Sequence, residues 1–321
     1  MHENKKEFYG LIGFPVKHSF SPAMHNAAFK ARGIGAEYKL FEIAPGELEK
    51  ILEDFFGDLN KKVIDTKGRA ISIADIRGFN ITIPHKVRAK EILEKRFPSD
   101  ETKALRQAGR YYVKLSGAIN TVKRSNSKLD YWNTDANGFL RSLEEDLGFR
   151  ASAKTALIIG CGGAGRAVIA CLSWKTEKIK KIYISDVNQT AISSLKRHFL
   201  ALPWEWKKNF SQKVEFIYQR QIAGKIKDCQ LLVNASPVGM RKDDPSVIDK
   251  DFLHKDLFVY DVVYNRDTQL IKDAKEKGLP AAGGLGMLLY QGAASWELWT
   301  GQEAPLNIMK EALRKELAKL C

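Results

Sequence analysis

The chain reads as an α/β protein of two units, one of them a doubly wound parallel sheet, and three observations predict this. Apolar runs at Ala156–Ile159, Ile182–Ile184, Val214–Ile217, Leu231–Val233 and Leu257–Tyr260 alternate with longer stretches of helical period. Short, nearly all-apolar strands separated by helices belong to a sheet covered on both faces, because neither face keeps a polar set for water. A glycine-rich turn, Gly160-Cys161-Gly162-Gly163-Ala164-Gly165, stands directly between the first of these strands and an apolar helical run. The length, 321 residues, matches roughly two domains.

Residues before about 135 form a second α/β unit. Its strand candidates are Tyr9–Ile12, Tyr38–Phe41, Gly78–Ile83 and Ala118–Val122. Ser21-Pro22 marks a helix start, with Ser as N-cap and Pro pre-set at the first helical position. Stretches 57–76 and 96–111 fit no period and are expected to be surface loops. After Gly286 the chain is helical, with Leu306, Met309, Leu313, Leu317 and Leu320 at 3/4 spacing in the last helix. Such an apolar stripe needs a partner, and the first unit supplies it. The expected division is therefore 1–135 plus 283–321 for a substrate-binding catalytic domain and 136–282 for a dinucleotide-binding domain.

The net charge of +14 admits a nucleic-acid partner. Lys and Arg are nevertheless scattered among acids, and the densest run, Lys178–Lys181, is short. The reading is a basic enzyme surface suited to small anions, with no nucleic-acid partner. No window approaches the ~18 apolar residues of a membrane helix, so no membrane partner is expected. The start, MHENKKEFYG, has no apolar segment behind its charges, so the expected location is cytoplasmic. Cysteines at 161, 171, 229 and 321 make no CxxC, and the six histidines make no HExxH, so neither disulfides nor a metal site is expected. The expected assembly is a monomer or a homodimer.

The glycine turn carries the first chemistry. Gly160 permits a tight turn, Gly162 lets backbone amides approach a pyrophosphate, and Gly165 allows close helix packing; Gly163 and Ala164 complete the loop. The phosphate would sit at the helix N-terminus, where unpaired N–H groups and the dipole favour an anion. Cys161 reads as a small residue there. Asp186 ends the next strand about 20 residues on, where an acid accepts hydrogen bonds from the adenosine ribose; a helix-capping Asp is the other reading. No Lys or Arg occupies Val187, Asn188 or Gln189 to answer a 2′-phosphate. NAD is therefore expected to be preferred, with NADP admitted if Arg166 or Arg220 swings in.

Four polar clusters lie where strands end: His18–Pro22, Asn80–Lys86, Gly117–Thr121 and Asn133–Asp135. Singly, each reads as caps, turns or a polar strand face. Lys86 opposes the dipole of the helix it starts, and a Lys beside an Asp makes a proton-transfer pair. Together and in this order, with Asn234–Met240, Asp261–Tyr264 and Gly283–Ala293, the clusters resemble the shikimate dehydrogenase family over almost the whole chain.

That resemblance implies a Rossmann-like nucleotide domain and reversible hydride transfer between a nicotinamide and C3 of shikimate, a step of aromatic amino-acid biosynthesis. It implies Lys86 and Asp135 as the catalytic pair, and Ser19 and Ser21 on the substrate carboxylate with Tyr264 nearby. Asn80, Thr82, Asn120 and Gln291 would take the ring hydroxyls. Asn234, Ser236, Met240 and Gly284 would line the nicotinamide end. The family's usual Asn-Arg-Thr after the second strand of the nucleotide unit is replaced here by Asp186-Val187-Asn188. Quinate or aminoshikimate dehydrogenation, or ligand sensing without turnover, are the competing readings.

Overall fold

The computed structural model describes residues 6–98, 108–125, 128–174 and 178–320. The first unit holds β1 (Glu7–Gly13), α1 (Ser21–Ala31), β2 (Ala36–Glu42), α2 (Leu48–Gly57), β3 (Lys62–Ile64), β4 (Ala70–Ser72), β5 (Ile76–Ile81), α3 (Lys86–Arg96), α4 (Ala108–Ser116), β6 (Thr121–Ser125) and β7 (Lys128–Trp132). Its main sheet has the order β2-β1-β5-β6-β7, parallel through β5 and antiparallel beyond it. Ile12, Phe41, Phe79 and Ile81 pack on one side against Leu52 and Phe55 of α2 and Leu93 of α3. On the other side, Tyr9, Leu11 and Tyr38 meet Met24 and Phe29 of α1.

α5 (Asp135–Glu145) leads into the second unit: β8 (Thr155–Ile159), α6 (Gly163–Ser173), β9 (Lys181–Ser185), α7 (Gln189–Leu200), α8 (Trp204–Lys213), β10 (Val214–Phe216), α9 (Ile222–Lys225), β11 (Leu231–Asn234), β12 (Phe258–Asp261), α10 (Gln269–Glu276) and β13 (Ala281–Gly283). The sheet is parallel throughout, in the order β10-β9-β8-β11-β12-β13. Ala156, Ile158, Ile182 and Ile184 enter one core with Val168 and Leu172 of α6. Their neighbours Leu157 and Tyr183 enter the opposite core with Leu270 and Ile271 of α10. The two-residue period thus feeds two helix layers, as the unbroken apolar strands require. α11 (Leu285–Thr300) and α12 (Leu306–Ala318) return to the first unit, where Trp296, Trp299, Met309 and Leu313 close the core over Tyr9 and Phe29.

Four local expectations are corrected. Ser21 is the first helical residue of α1 and not its cap; its own N–H donates to Ser19 Oγ at 3.2 Å. Stretch 57–76 is no plain loop: β3 and β4 pair as a hairpin whose Val63 and Ile71 join the core. The strand expected over Gly78–Ile83 stops at Ile81, and the one expected over Ala118–Val122 begins at Thr121. Of stretch 96–111, residues 99–107 lie outside the described residues.

Candidate active site

Lys86 is the first residue of α3 and Asp135 the first of α5, so one helix start carries a cation and the other an anion. Asp135 suits its helix dipole and Lys86 opposes its own. What holds the ammonium is the carboxylate: Lys86 Nζ lies 2.5 Å from Asp135 Oδ2, with both side chains nearly buried. In such surroundings a charge-assisted hydrogen bond is short and strong, and removing one partner strands the other.

The second carboxylate oxygen ties this pair to a buried amide. Asn120 Nδ2 is 2.9 Å from Asp135 Oδ1, 2.9 Å from Thr134 Oγ1 and 3.1 Å from Gln291 Oε1. Asn120 Oδ1 accepts the Thr134 N–H at 2.8 Å. Gln291 comes from α11, and its Nε2 donates to the Leu288 carbonyl at 2.9 Å. Four chain segments therefore converge on one network: the turn before β6, the start of α5, the start of α3 and the middle of α11.

Asn80 sits beside that network with its amide committed. Its Nδ2 is 3.0 Å from the Asn120 carbonyl, 3.2 Å from Thr121 Oγ1 and 3.0 Å from Ser295 Oγ, while its Oδ1 accepts the Tyr38 hydroxyl at 2.8 Å. Thr82, half-buried, follows the end of β5 and donates its N–H to the Ile12 carbonyl. Ser19 and Ser21 lie with their hydroxyls 3.2 Å apart at the start of α1. Tyr264 packs edge-on to Phe20, with ring centroids 5.4 Å apart, and its hydroxyl interacts with Ser19. Burial raises the Tyr264 and Tyr38 hydroxyl pKa values, so both stay protonated donors.

Sequence reasoning assigned no site role to Tyr38 or Ser295, and marked Thr134 only as part of the Asn133–Asp135 cluster. Ser295 bridges Thr121 Oγ1 at 2.8 Å and Asn80. Its one sequence signal was its place a helical turn after Gln291.

The glycine loop faces this network. Gly160 has φ +96°, and a Cβ there would lie 2.7 Å from the Ser236 nitrogen, so only glycine fits between β8 and the segment after β11. At Gly165 a Cβ would lie 2.2 Å from the Gly160 carbonyl oxygen. A Cβ on Gly162 would meet nothing, which leaves the backbone open to a ligand. No side chain caps α6 and its first turn holds no acid, so its leading amides remain for an anion. These features fit a pyrophosphate. Gly163 abuts the other chemistry: a Cβ would lie 2.8 Å from Lys86 Cδ and 2.9 Å from Lys86 Cβ. Ala164 follows in the first turn of α6.

Asn234 ties the end of β11 to β12, donating to Asp261 Oδ1 at 3.0 Å and to the Val238 carbonyl at 2.9 Å. The Ser236 hydroxyl donates back to Asn234 Oδ1 at 2.7 Å. Met240, at the end of this turn, is exposed, and Gly284 approaches Val262 so closely that a Cβ would lie 2.1 Å from its carbonyl oxygen. Burial pushes the Cys161 thiol up to about 12, so it is no thiolate.

The family model of the shikimate dehydrogenase substrate binding domain matches residues 11–106, and that of the shikimate 5'-dehydrogenase C-terminal domain matches 284–314. A protein of Methanopyrus kandleri named shikimate dehydrogenase (NADP(+)) is 38% identical over 96% of this chain and 95% of its own. The chain belongs to the shikimate dehydrogenase family. Among shikimate dehydrogenases of known structure, that of Aquifex aeolicus aligns with a TM-score of 0.75 at 32% identity, covering 98% of this chain and 100% of its own. Another, crystallised in complex with NADP+, aligns with a TM-score of 0.78 at 31% identity, covering 99% and 98%.

The NAD preference expected from Asp186 is overturned by these relatives, one named for NADP(+) and one holding NADP+. The physical reason lies in what Asp186 touches. Its Oδ2 accepts the Cys161 N–H at 2.7 Å and its Oδ1 accepts the Asn188 N–H at 2.8 Å. The carboxylate is engaged in bracing the glycine loop and the turn into α7. Arg166 cannot answer a phosphate either: it is 3% exposed, and its Nη2 donates to Ser194 Oγ at 2.9 Å.

Proposed function

We propose that the protein catalyses the reversible reduction of 3-dehydroshikimate to shikimate with NADPH. The carrying observation is the buried Lys86–Asp135 pair, held by Asn120 and set against the glycine loop through Gly163. The nicotinamide supplies the hydride. The ketone oxygen, becoming an alkoxide, needs charge stabilisation and a proton, and the Lys86 ammonium offers both at one atom. Asp135 orients that ammonium. Asn120 and Gln291 meet the ring hydroxyls, joined by Thr82 from the end of β5. Ser19, Ser21 and Tyr264 donate to the substrate carboxylate with three hydroxyls, a set that matches an anion. Asn80, whose amide is tied to Asn120, Thr121 and Ser295 much as that of Asn120 is tied to Asp135, Thr134 and Gln291, joins Asn120 and Gln291 on the ring hydroxyls.

Gly160, Gly162, Gly163, Ala164 and Gly165 hold the pyrophosphate, and Asn234, Ser236, Met240 and Gly284 border the nicotinamide. The working division is a catalytic domain of 1–135 plus 283–321 and a nucleotide domain of 136–282. Initial rates with shikimate and quinate, each with NADP and NAD, test the reading. Shikimate with NADP is expected to give the highest kcat/KM, at least tenfold above quinate; equal or better use of quinate would refute the substrate assignment.

A further inference from the structure

With Asp186 and Arg166 both engaged elsewhere, the adenosine end of the site needs another group to recognise a 2′-phosphate. β10 runs parallel to β9, with Phe216 level with Ile184, and the Ile217 N–H donates to the Ile184 carbonyl at 2.9 Å. The carboxyl ends of these strands are neighbours at the usual ~4.8 Å strand spacing. The segment after β10 therefore lies beside Asp186-Val187-Asn188, where a dinucleotide's adenosine ribose is read. Val187 there is exposed and uncharged, and Asn188 Oδ1 is taken by the N–H groups of Thr190 and Ala191.

The segment after β10 presents Tyr218 and Arg220. Tyr218 is 62% exposed, and the Arg220 guanidinium lies over its ring, 5.1 Å from the centroid. The turn is fixed by Gln221, whose Oε1 accepts the Tyr218 N–H at 2.8 Å. Of the nearby cations, Lys181 and Lys225 both pair with Glu215, and Lys196, which lies over the Phe216 ring, offers a point charge without the planar fork of an Arg. Arg220 has no ion-pair partner among the described residues. A cation–π contact engages no oxygen acceptor, so it leaves the N–H donors of the guanidinium fork for a phosphate.

We propose that Arg220, braced on Tyr218, receives the 2′-phosphate of NADP and sets cofactor choice in this chain. The proposal rests on the NADP reading above. It moves phosphate recognition from the segment after β9, which lacks a cation, to the segment after β10.

Calorimetric titration with adenosine 2′,5′-bisphosphate and with 5′-AMP separates the two ideas without turnover. The wild type should bind the bisphosphate more tightly than 5′-AMP. Arg220→Ala should weaken the bisphosphate by roughly ten- to a hundredfold, equivalent to about 1.4 to 2.8 kcal/mol, and leave 5′-AMP within about twofold. Arg220→Lys should recover part of the loss, since charge returns without the planar fork. If the wild type prefers the bisphosphate and Arg220→Ala leaves that preference intact, or weakens both ligands alike, the role of Arg220 is overturned and the NADP reading stands. If the wild type binds both ligands equally, the NADP reading fails and this inference falls with it.

Discussion

The two ends of the site are built on different principles. At the Lys86 end, side chains from four segments hold one another: the ammonium on Asp135, Asp135 on Asn120, and Asn120 on Gln291 and Thr134. At the adenosine end, backbone does most of the work, and Asp186 serves the N–H groups of Cys161 and Asn188. A side-chain network fixes chemistry because each residue type is needed for its functional group. A backbone cradle fixes a turn, and what it reads depends on whichever side chain stands nearby. Changes at the first end should therefore reduce turnover, and changes at the second should reduce affinity.

The largest effects are expected at the pair. Lys86→Ala removes the proton donor and should lower turnover by ~10²- to 10⁴-fold with little change in cofactor affinity. Asp135→Asn should act in the same direction. Each single change also strands a buried charge or its partners, so thermal unfolding should show a loss of about 3 to 5 kcal/mol for Lys86→Ala. Turnover within tenfold of the wild type would take Lys86 out of the chemistry.

Gly163→Ala sharpens the contrast, because Gly163 belongs to the cradle and touches the network. Its new methyl would meet the Lys86 stem at under 3 Å. Since an ångström of misplacement can cost on the order of 10² in rate, kcat should fall roughly ten- to a hundredfold while the substrate KM changes little. A variant with only its cofactor KM altered would show that the loop and the pair are independent.

Asp186→Ala tests the other end. The loss of two accepted N–H bonds should weaken NAD and NADP binding alike, by roughly three- to tenfold. A gain for NADP with a loss for NAD would restore Asp186 as a direct reader of the ribose.

The smallest effect concerns stability and pH. Burial holds His25 down to about 3 and His198 down to about 4, below the ordinary value of 6.5. The folded state thus binds fewer protons than the unfolded chain between about pH 4 and 6.5. Stability should be full above pH 6.5 and decline as the pH falls through that window, each histidine contributing up to about 1.4 kcal/mol per pH unit. His25→Phe, at a ring stacked 4.4 Å from Tyr38, should flatten the melting-temperature profile there; an unchanged slope would show that His25 titrates normally.

Much of this was legible in the sequence because the signals were local. β8, β9 and β11 announce themselves, since both of their faces are covered and every residue is apolar or nearly so. Lys86 was legible because a cation at a helix start contradicts the dipole. The hairpin β3–β4 was not, because strands of three residues with one buried side chain each carry no period. Ser295 and Tyr38 were hidden for a different reason: each reaches Asn80 across a long sequence separation, Ser295 through the packing of α11 on the first sheet and Tyr38 across the strand order β2-β1-β5. Asp186 was misread because a ribose acceptor and a loop brace have the same residue at the same spacing. The difference lies in where the Cys161 amide points.

A double-variant cycle on Lys86 and Asp135 tests most directly whether the network acts as one device. With kcat measured for the wild type, Lys86→Ala, Asp135→Asn and the double variant, residues that work as a unit should be strongly non-additive. The double variant should turn over within about threefold of Lys86→Ala alone. Losses that multiply, so that the double variant is slower by the product of the two single factors, would mean that Lys86 and Asp135 act separately and would contradict the account.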